Sequence, residues 1–485
     1  MTNKQISRRS FLKYIGGGIA ATTPALITAC KDGQGTKTNA AGATASAATA
    51  EGAAMTFRTN PNTGDRVSLL GYGMMRLPEL PESTQEHPQT DPYDQEMINR
   101  QIDYALAHGV NYFDTSPVYC RGLSERCTGI ALSRHPRKSY YIATKLSNFD
   151  AGIWPLEESK KMFENSLKEL QTDYIDYMLL HSTGNSARDE EGNEIDGLEA
   201  CKRRFLDNGL TDWLTEQKKA GRIRNLGFSW HGDYRAFELL LQLHDEGRYH
   251  WDFVQIELNY LDWYYANEIN GVNVDAAILY DELHKRGIPA VIMEPLLGGR
   301  LANVSDDVAK QFKARDPEAS VASWAFRYAG TPEGVLTVLS GMTYMEHLQD
   351  NVATYSPLKP ISPEEDEFLM HIAEEIFGLK EVPCTACQYC MPCPYGLNIP
   401  AIFAHYNRCL REGYVKQSNM DPAYRKARRA FLIGYDRSVP RLRQASHCIG
   451  CNQCTSHCPQ QIEIPRELHR IDDYVEKLKR EDTTL

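Results

Sequence analysis

Between residues 55 and 357 short apolar runs alternate with longer amphipathic stretches. The region opens on a hairpin pattern, TFRTNPNTGDRVSLLGYG, with turn residues from Asn60 to Gly64. Strand-like runs then recur: VNYFDTS, YYIATK, YIDYMLLH, IRNLGFS, FVQIELN, IPAVIMEP and GVLTVLSG. Helical patterns such as DQEMINRQIDYALAHG and LEESKKMFENSLKEL lie between them. Regular alternation of strand and helix predicts a parallel sheet covered by helices. With the run through LLGYG counted first, the strands fit an α/β fold of the closed (β/α)8 TIM-barrel type.

Polar residues fall where such strands end: Asp114, Lys145, His181, Ser229, Gln255, Glu294 and Ser340. The carboxyl ends of barrel strands converge on one mouth, so these residues are expected to form a ring of chemistry there. Any one of them could be a strand terminator meeting solvent; seven in succession point to a site.

Beyond the barrel the pattern changes. Residues 358–380 hold a connecting helix, SPEEDEFLMHIAEEIF at 362–377, with Ser362 as its N-cap. Residues 381–485 carry two tight cysteine groups. The first, CTACQYCMPCP, holds Cys384, Cys387, Cys390 and Cys393; the second, CIGCNQCTSHCP, holds Cys448, Cys451, Cys454 and Cys458. The chain repeats itself after each group, as CPYGLNIP and CPQQIEIP. Zinc is the bland alternative, although eight closely spaced cysteines with a terminal Cys-Pro exceed a zinc site's needs. Disulfides between cysteines three apart have poor geometry. The second group resembles the C-x2-C-x2-C-x3-C-P run of bacterial ferredoxins, which implies two 4Fe–4S clusters in a small, mostly α-helical ferredoxin-like domain. It also implies crosswise ligation: Cys384, Cys387 and Cys390 with Cys458, and Cys448, Cys451 and Cys454 with Cys393. Ile402, Phe403, Tyr406, Phe431 and Leu432 are expected to pack around the clusters and keep water away.

The net charge of −11 over 485 residues gives no hint of nucleic-acid binding. Basic residues gather between the cysteine groups, from Arg408 to Arg443. They read either as a solvated face or as a surface that offsets the clusters or docks an acidic redox partner. At the N-terminus, SRRSFLKYIGGGIAATTPALITAC resembles a twin-arginine signal over residues 1–30. Its ending, Ile27 to Cys30, resembles a lipoprotein box, so Cys30 is either a lipid anchor or incidental. Residues 31–54, rich in Ala, Thr and Gly, read as a flexible tether. The expected location is the periplasm or cell envelope, with the targeting segment standing outside the fold.

Several barrel motifs together resemble the aldo-keto reductase family, and the cysteine-bearing tail resembles its iron–sulfur branch. The motifs are GVNYFDTSPVYCRGLSERCTGIAL at 109–132, ATK at 143–145, DYIDYMLLH at 173–181, GRIRNLGFS at 221–229 and QIELN at 255–259. The resemblance implies Tyr119 as general acid–base, Lys145 beside it favouring the phenolate, Asp114 holding Lys145, and His181 orienting a carbonyl or alcohol oxygen. It places a nicotinamide near Ser229 and Gln255, with Glu346 and Asn351 at the adenine. This chain departs from the family at Trp230, at Met293 for the stacking aromatic, and at Gly341 and His347 for phosphate-binding cations. NADP loses its usual partners there, and NAD(P) binding altogether is put in question. Gly298 and Gly299 could admit a pyrophosphate. Cys120 is either a small filler or a redox thiol.

Free nicotinamide nucleotides should be scarce outside the cytoplasm. The reading that reconciles these signals is an exported oxidoreductase that interconverts a small carbonyl and alcohol and passes electrons through its clusters. The alternative is an electron-transfer module whose barrel no longer performs nicotinamide hydride chemistry. A lipid-anchored scaffold is a third.

Overall fold

The computed structural model describes residues 11–14, 54–80, 92–269 and 271–480. The expected twin-arginine pair, the lipoprotein box with Cys30 and the tether lie outside the described residues, save for Phe11–Tyr14 and the last residue of the tether. Strands β1 (Phe57–Thr59) and β2 (Arg66–Ser68) form an antiparallel hairpin. Then come β3 (Leu70–Gly73), β4 (Tyr112–Asp114), β5 (Tyr141–Leu146), β6 (Ile175–Leu180), a two-residue pair β7 (Ala187–Arg188) and β8 (Glu194–Ile195), β9 (Ile223–Ser229), β10 (Phe253–Glu257), β11 (Ala290–Met293) and β12 (Val335–Gly341). Eight of these close a barrel in the order β3-β4-β5-β6-β9-β10-β11-β12, with every pairing parallel. They correspond to the eight runs read from the sequence.

The strands read as near-continuous apolar runs because both faces are buried, one by helices and one by the barrel interior. Tyr112, Tyr177, Leu179, Phe253, Val291 and Leu339 fill that interior, so it is a packed core and not a pore. The β1–β2 hairpin plugs the end opposite the mouth. There Asn60 donates to the Tyr177 hydroxyl and to Asn225, and Arg58 donates to the carbonyls of Pro332 and Val335. The helix Pro363–Gly378 starts in a capping box made by Ser362 and Glu365. Its Leu369, Ile372 and Ala373 belong to the barrel's own outer core, so the connecting helix is anchored to the barrel.

The second domain has a separate core built by the helices Ile399–Arg411, Tyr424–Ser438 and Ile464–Arg480. Ile402, Phe403, Tyr406 and Phe431 are buried in it, with Leu432 partly buried at its side. Along Tyr424–Ser438, Arg425, Lys426, Arg429 and Arg437 are exposed. Among the described residues no helix is long and apolar enough to cross a membrane.

One expectation is corrected at two residues. The targeting segment does not stand wholly apart, because Phe11 and Tyr14 are buried against the barrel. Phe11 stacks on Tyr328 at 4.0 Å and meets Trp263 edge-on at 5.0 Å. The Tyr14 hydroxyl donates to Asp281 at 2.5 Å. An aromatic pocket on the barrel wall removes these rings from water, a gain of roughly 1.5–3 kcal/mol per large apolar side chain.

Candidate functional site

The mouth lies at the carboxyl ends of the strands. Asp114 closes β4, Lys145 sits one residue from the end of β5 and His181 follows β6 directly. The Lys145 ammonium donates to Asp114 Oδ1 at 2.5 Å and to the Thr115 carbonyl at 2.8 Å. It also lies 4.7 Å from the centre of the Tyr119 ring. The Tyr119 and His181 rings meet edge-on at 5.9 Å. Ser147 Oγ is 2.6 Å from His181 Nδ1 and 2.8 Å from Ser116 Oγ. A Ser147 hydroxyl that donates to Nδ1 leaves the imidazole hydrogen on Nε2. The structure thus brings all four proposed acid–base residues together, and adds Ser147 and Ser116, which the sequence reading missed.

Burial governs the charges here. Desolvation raises the Asp114 carboxyl and lowers the Lys145 ammonium, and each partner pulls the other back toward its charged form. His181 is held neutral, well below its ordinary value, by burial and then by the cations Lys145 and Arg204. The expected push of Tyr119 toward phenolate is corrected: burial carries its hydroxyl well above the ordinary value. The ammonium lies over the ring and is spent on Asp114 and Thr115, so desolvation prevails. Tyr119 therefore rests as a neutral acid with a proton to give.

Arg204 was also missed. It is 1% exposed, in a π-helical turn, Lys202–Leu206, of the loop after His181. Its guanidinium donates to the carbonyls of His181 (2.7 Å), Ser182 (3.0 Å) and Asn148 (3.2 Å). No carboxylate is among these partners, so the group splints the strand end from within. Cys120 resolves toward structure. Its thiol faces the Met74 and Met75 carbonyls at 3.5 and 3.4 Å, and burial pushes it up to about 11, which leaves it a poor nucleophile. Cys120 and Arg121 both take left-handed backbone, with φ of 52° and 55°, directly after Tyr119.

The nucleotide side is built differently. Ser229 Oγ accepts from the Ser182 amide at 2.9 Å, and Gln255 Nε2 faces Met293 Sδ at 3.5 Å. Gln255 Oε1 is buried without a hydrogen-bond partner, an acceptor that suits a carboxamide. Trp230 turns away into the wall, where its Nε1 donates to the Asp233 carbonyl at 3.0 Å. Farther along, the fit to a dinucleotide fails. A Cβ on Gly298 would stand 2.2 Å from the Thr385 carbonyl, so that glycine admits the cysteine loop of the second domain and not a pyrophosphate. At Gly341 the space is filled by the stem of Arg76, whose guanidinium donates to the same Thr385 carbonyl at 2.6 Å. Asn351 is tied to Ser340 at 3.0 Å, while Glu346 is exposed. Asp262 adds a buried carboxyl to this side, pushed up to about 8 by burial and by Glu257, and the half-buried Glu294 adds a second, also raised.

The second domain therefore covers half of the mouth. Glu381 bridges Arg300 of the barrel and Arg411 of the cysteine domain, both at 2.9 Å, and Gln460 donates to Glu257 at 2.6 Å. All eight cysteines of the two groups are free thiols. They sort into two sets by mutual influence. Cys390 feels Cys387, Cys384 and Cys458 most, and Cys458 feels Cys387 and Cys384. Cys454 feels Cys393, Cys448 and Cys451, and Cys448 feels Cys393 and Cys451. These are the crosswise sets that the ferredoxin resemblance implies. Among the described residues no three His, Cys, Asp or Glu side chains close around one metal ion. A cubane places its thiolates on separate irons, so its ligands stand farther apart than four thiolates on one zinc. Crowded burial pushes the Cys387 thiol up to about 11 and the Cys458 thiol up to about 12, so as thiolates they call for a cationic core. The residues fit 4Fe–4S clusters.

Comparison with known proteins agrees with this division. Residues 69–365 match the family model described as "Aldo/keto reductase family", and residues 383–463 match the one described as "4Fe-4S dicluster domain". The chain is 24% identical over 327 residues to the L-galactose dehydrogenase of Arabidopsis thaliana, covering 64% of this chain and 91% of that protein. It is 29% identical over 207 residues to Protein tas of Escherichia coli, covering 39% and 55%. Among solved structures, the aldo-keto reductase AKR11C1 from Bacillus halodurans aligns at 22% identity and a TM-score of 0.49, over 66% of this chain and 96% of that one.

Proposed function

This chain belongs to the aldo/keto reductase family and carries a domain for two 4Fe–4S clusters, and from that premise we propose that it is an exported oxidoreductase interconverting a small alcohol and a carbonyl. The observation that carries the reading is the Asp114–Lys145–Tyr119–His181 constellation, with its ion pair at 2.5 Å, directly beneath the cysteine loop. Neutral Tyr119 would give its proton to the oxygen of a bound carbonyl during reduction; for oxidation it would first release that proton to solvent and then, as phenolate, take the alcohol's. Neutral His181, with its hydrogen on Nε2, would hold that oxygen in place. Asp114 and Lys145 would steady the site electrostatically as charge develops. Oxidation of an alcohol to a carbonyl releases two electrons and two protons. A pair of one-electron centres would supply storage for both electrons when bound, with one proton taken by the Tyr119 phenolate and the other passed to solvent. Similarity to a protein named L-galactose dehydrogenase supports a polyol or aldose as substrate class.

A second reading is favoured by the covered nucleotide side: the barrel serves only as the platform of an electron-transfer module. One experiment separates the two. Anaerobically prepared protein is mixed with a panel of small alcohols and aldoses, and bleaching of the cluster absorbance is followed in the native chain and in Tyr119→Phe. Bleaching that disappears in Tyr119→Phe supports the oxidoreductase; bleaching unaltered by the substitution supports the module. Nucleotide released on denaturation, read beside iron and sulfide content, tests whether nicotinamide accompanies the protein. Export by the twin-arginine route is part of the proposal, and cell fractionation of native and Arg8→Lys/Arg9→Lys proteins checks it.

A further inference from the structure

Tyr389 stands between two cysteines of one set, Cys387 and Cys390, yet it serves the barrel. Its hydroxyl lies close enough to that of Tyr119 for each to perturb the other's proton. Its ring lies 6.0 Å from Phe149, which in turn lies 4.9 Å from His181. The loop that carries it is fixed to the barrel by separate contacts. Arg76 holds the Thr385 carbonyl at 2.6 Å, and the Gly298 backbone takes Thr385 at a distance no side chain would allow. Ala386 and Gln388, at φ of 53° and 67°, turn the backbone on either side of Cys387. Left-handed backbone at residues other than glycine is strained and persists only where surrounding structure imposes it. Here it bends a cysteine loop so that a phenol enters the neighbouring domain's mouth.

We propose that Tyr389 is a positioning residue of the barrel's acid–base site, delivered by the cysteine loop to orient the Tyr119 hydroxyl toward the substrate oxygen. The site is then incomplete without the second domain, and correct loop conformation becomes a condition for barrel chemistry. This inference rests on the acid–base reading of Tyr119 given above.

The test is a cycle of three variants in the full-length, cluster-loaded protein: Tyr389→Phe, Tyr119→Phe and the two together. Iron content and the paramagnetic signal of the reduced clusters report on the loop itself. With both unchanged, Tyr389→Phe is expected to lower kcat about tenfold, the loss appropriate to one hydrogen bond at a reacting group, with KM little altered. The double variant should be no slower than Tyr119→Phe alone, because the effect passes through Tyr119. A readout without substrate accompanies the kinetics: 3-fluorotyrosine placed at position 119 should shift its fluorine resonance when Tyr389 becomes Phe. Full kcat in Tyr389→Phe, additive losses in the double variant, or an unmoved resonance would each overturn the proposal. Loss of iron in Tyr389→Phe would make the role that of a loop filler and overturn it as well. Full turnover in Tyr119→Phe would sink the acid–base reading, and this inference with it. A large loss in Tyr119→Phe beside a silent Tyr389→Phe would sink the inference alone.

Discussion

Two halves of one mouth use the same barrel in opposite ways. Around Lys145 the side chains are joined by short contacts within the barrel: Asp114 at 2.5 Å, Thr115 at 2.8 Å, and Ser147 to His181 at 2.6 Å. Around Gly298 and Gly341 the groups that would meet a dinucleotide meet another domain instead, through Thr385, Arg76 and Gln460. Acid–base geometry was kept where the strands themselves supply it. The other side, shaped largely by loops, is occupied by the cysteine domain. Loops tolerate such replacement because the barrel's stability resides in strands and helices packed elsewhere.

The largest effect should come from the covering half. Cys458→Ser removes one ligand of the set formed with Cys384, Cys387 and Cys390, so bound iron is expected to fall from about eight to about four atoms per chain, by elemental analysis. Circular dichroism should show the barrel intact, since its core is separate from that of the cysteine domain. Unfolding of the whole chain would contradict the division of labour between the halves. The second-largest effect falls on the other half. Lys145→Met strands the Asp114 carboxylate, whose Oδ2 already lacks a partner. Loss of a buried ion-pair partner costs about 3–5 kcal/mol, readable by urea denaturation, and turnover should fall about 10²–10⁴-fold.

The two halves were also unequally legible in the sequence. All eight barrel strands announced themselves, because a strand buried on both faces is written as a continuous apolar run between helical patterns. Asp114, Lys145 and His181 were readable because each interrupts such a run at its carboxyl end. The cysteine sets were readable from spacing. Tyr389, Arg76 and Thr385 were not, because their roles arise from how two domains meet, and no local period records that. Gly298 shows the difficulty well: the glycine was noticed, but its neighbour, a loop carbonyl 87 residues later, could be found only in three dimensions. Phe11 was read as part of a leader, because its partner, the buried Tyr328, lies 317 residues later and no local period records the pairing. Burial also reversed one inference, since Lys145 next to Tyr119 was expected to favour phenolate and desolvation outweighs it.

The third effect tests the electrostatics of the covered side. Asp262 is buried and pushed up to about 8 by desolvation and by Glu257. A carboxyl whose folded value is raised binds its proton more tightly folded than unfolded. Its contribution is therefore most favourable at low pH and declines as pH rises from about 4, the unfolded value, toward about 8. Asp262→Asn has no such proton to lose. Its melting temperature relative to the native chain should rise across that window and level off above it. A difference that is flat with pH would show that the carboxyl is solvated in the folded protein, and that this side of the mouth is open.

The smallest effect is expected at the seam itself. Glu381 is held by Arg300 on one side and Arg411 on the other, with its side chain 2% exposed and the arginines 11% and 16% exposed. Those arginines keep some contact with water, so the bridge is worth less than the enclosed Lys145–Asp114 pair. Glu381→Gln keeps the shape and removes the charge, and is expected to cost about 1–2 kcal/mol, between a surface pair and a buried one. Because the bridge spans the domains, that loss should appear as earlier release of the cysteine domain, seen as faster proteolysis near residue 380 while barrel unfolding is unchanged. Raised salt should narrow the gap between native and variant proteins, since only the native chain has the ion pairs to screen. If the variant instead shifts barrel unfolding and leaves proteolysis alone, Glu381 is part of the barrel's wall, and the cover over the nucleotide half must be held by Arg76 and Gln460.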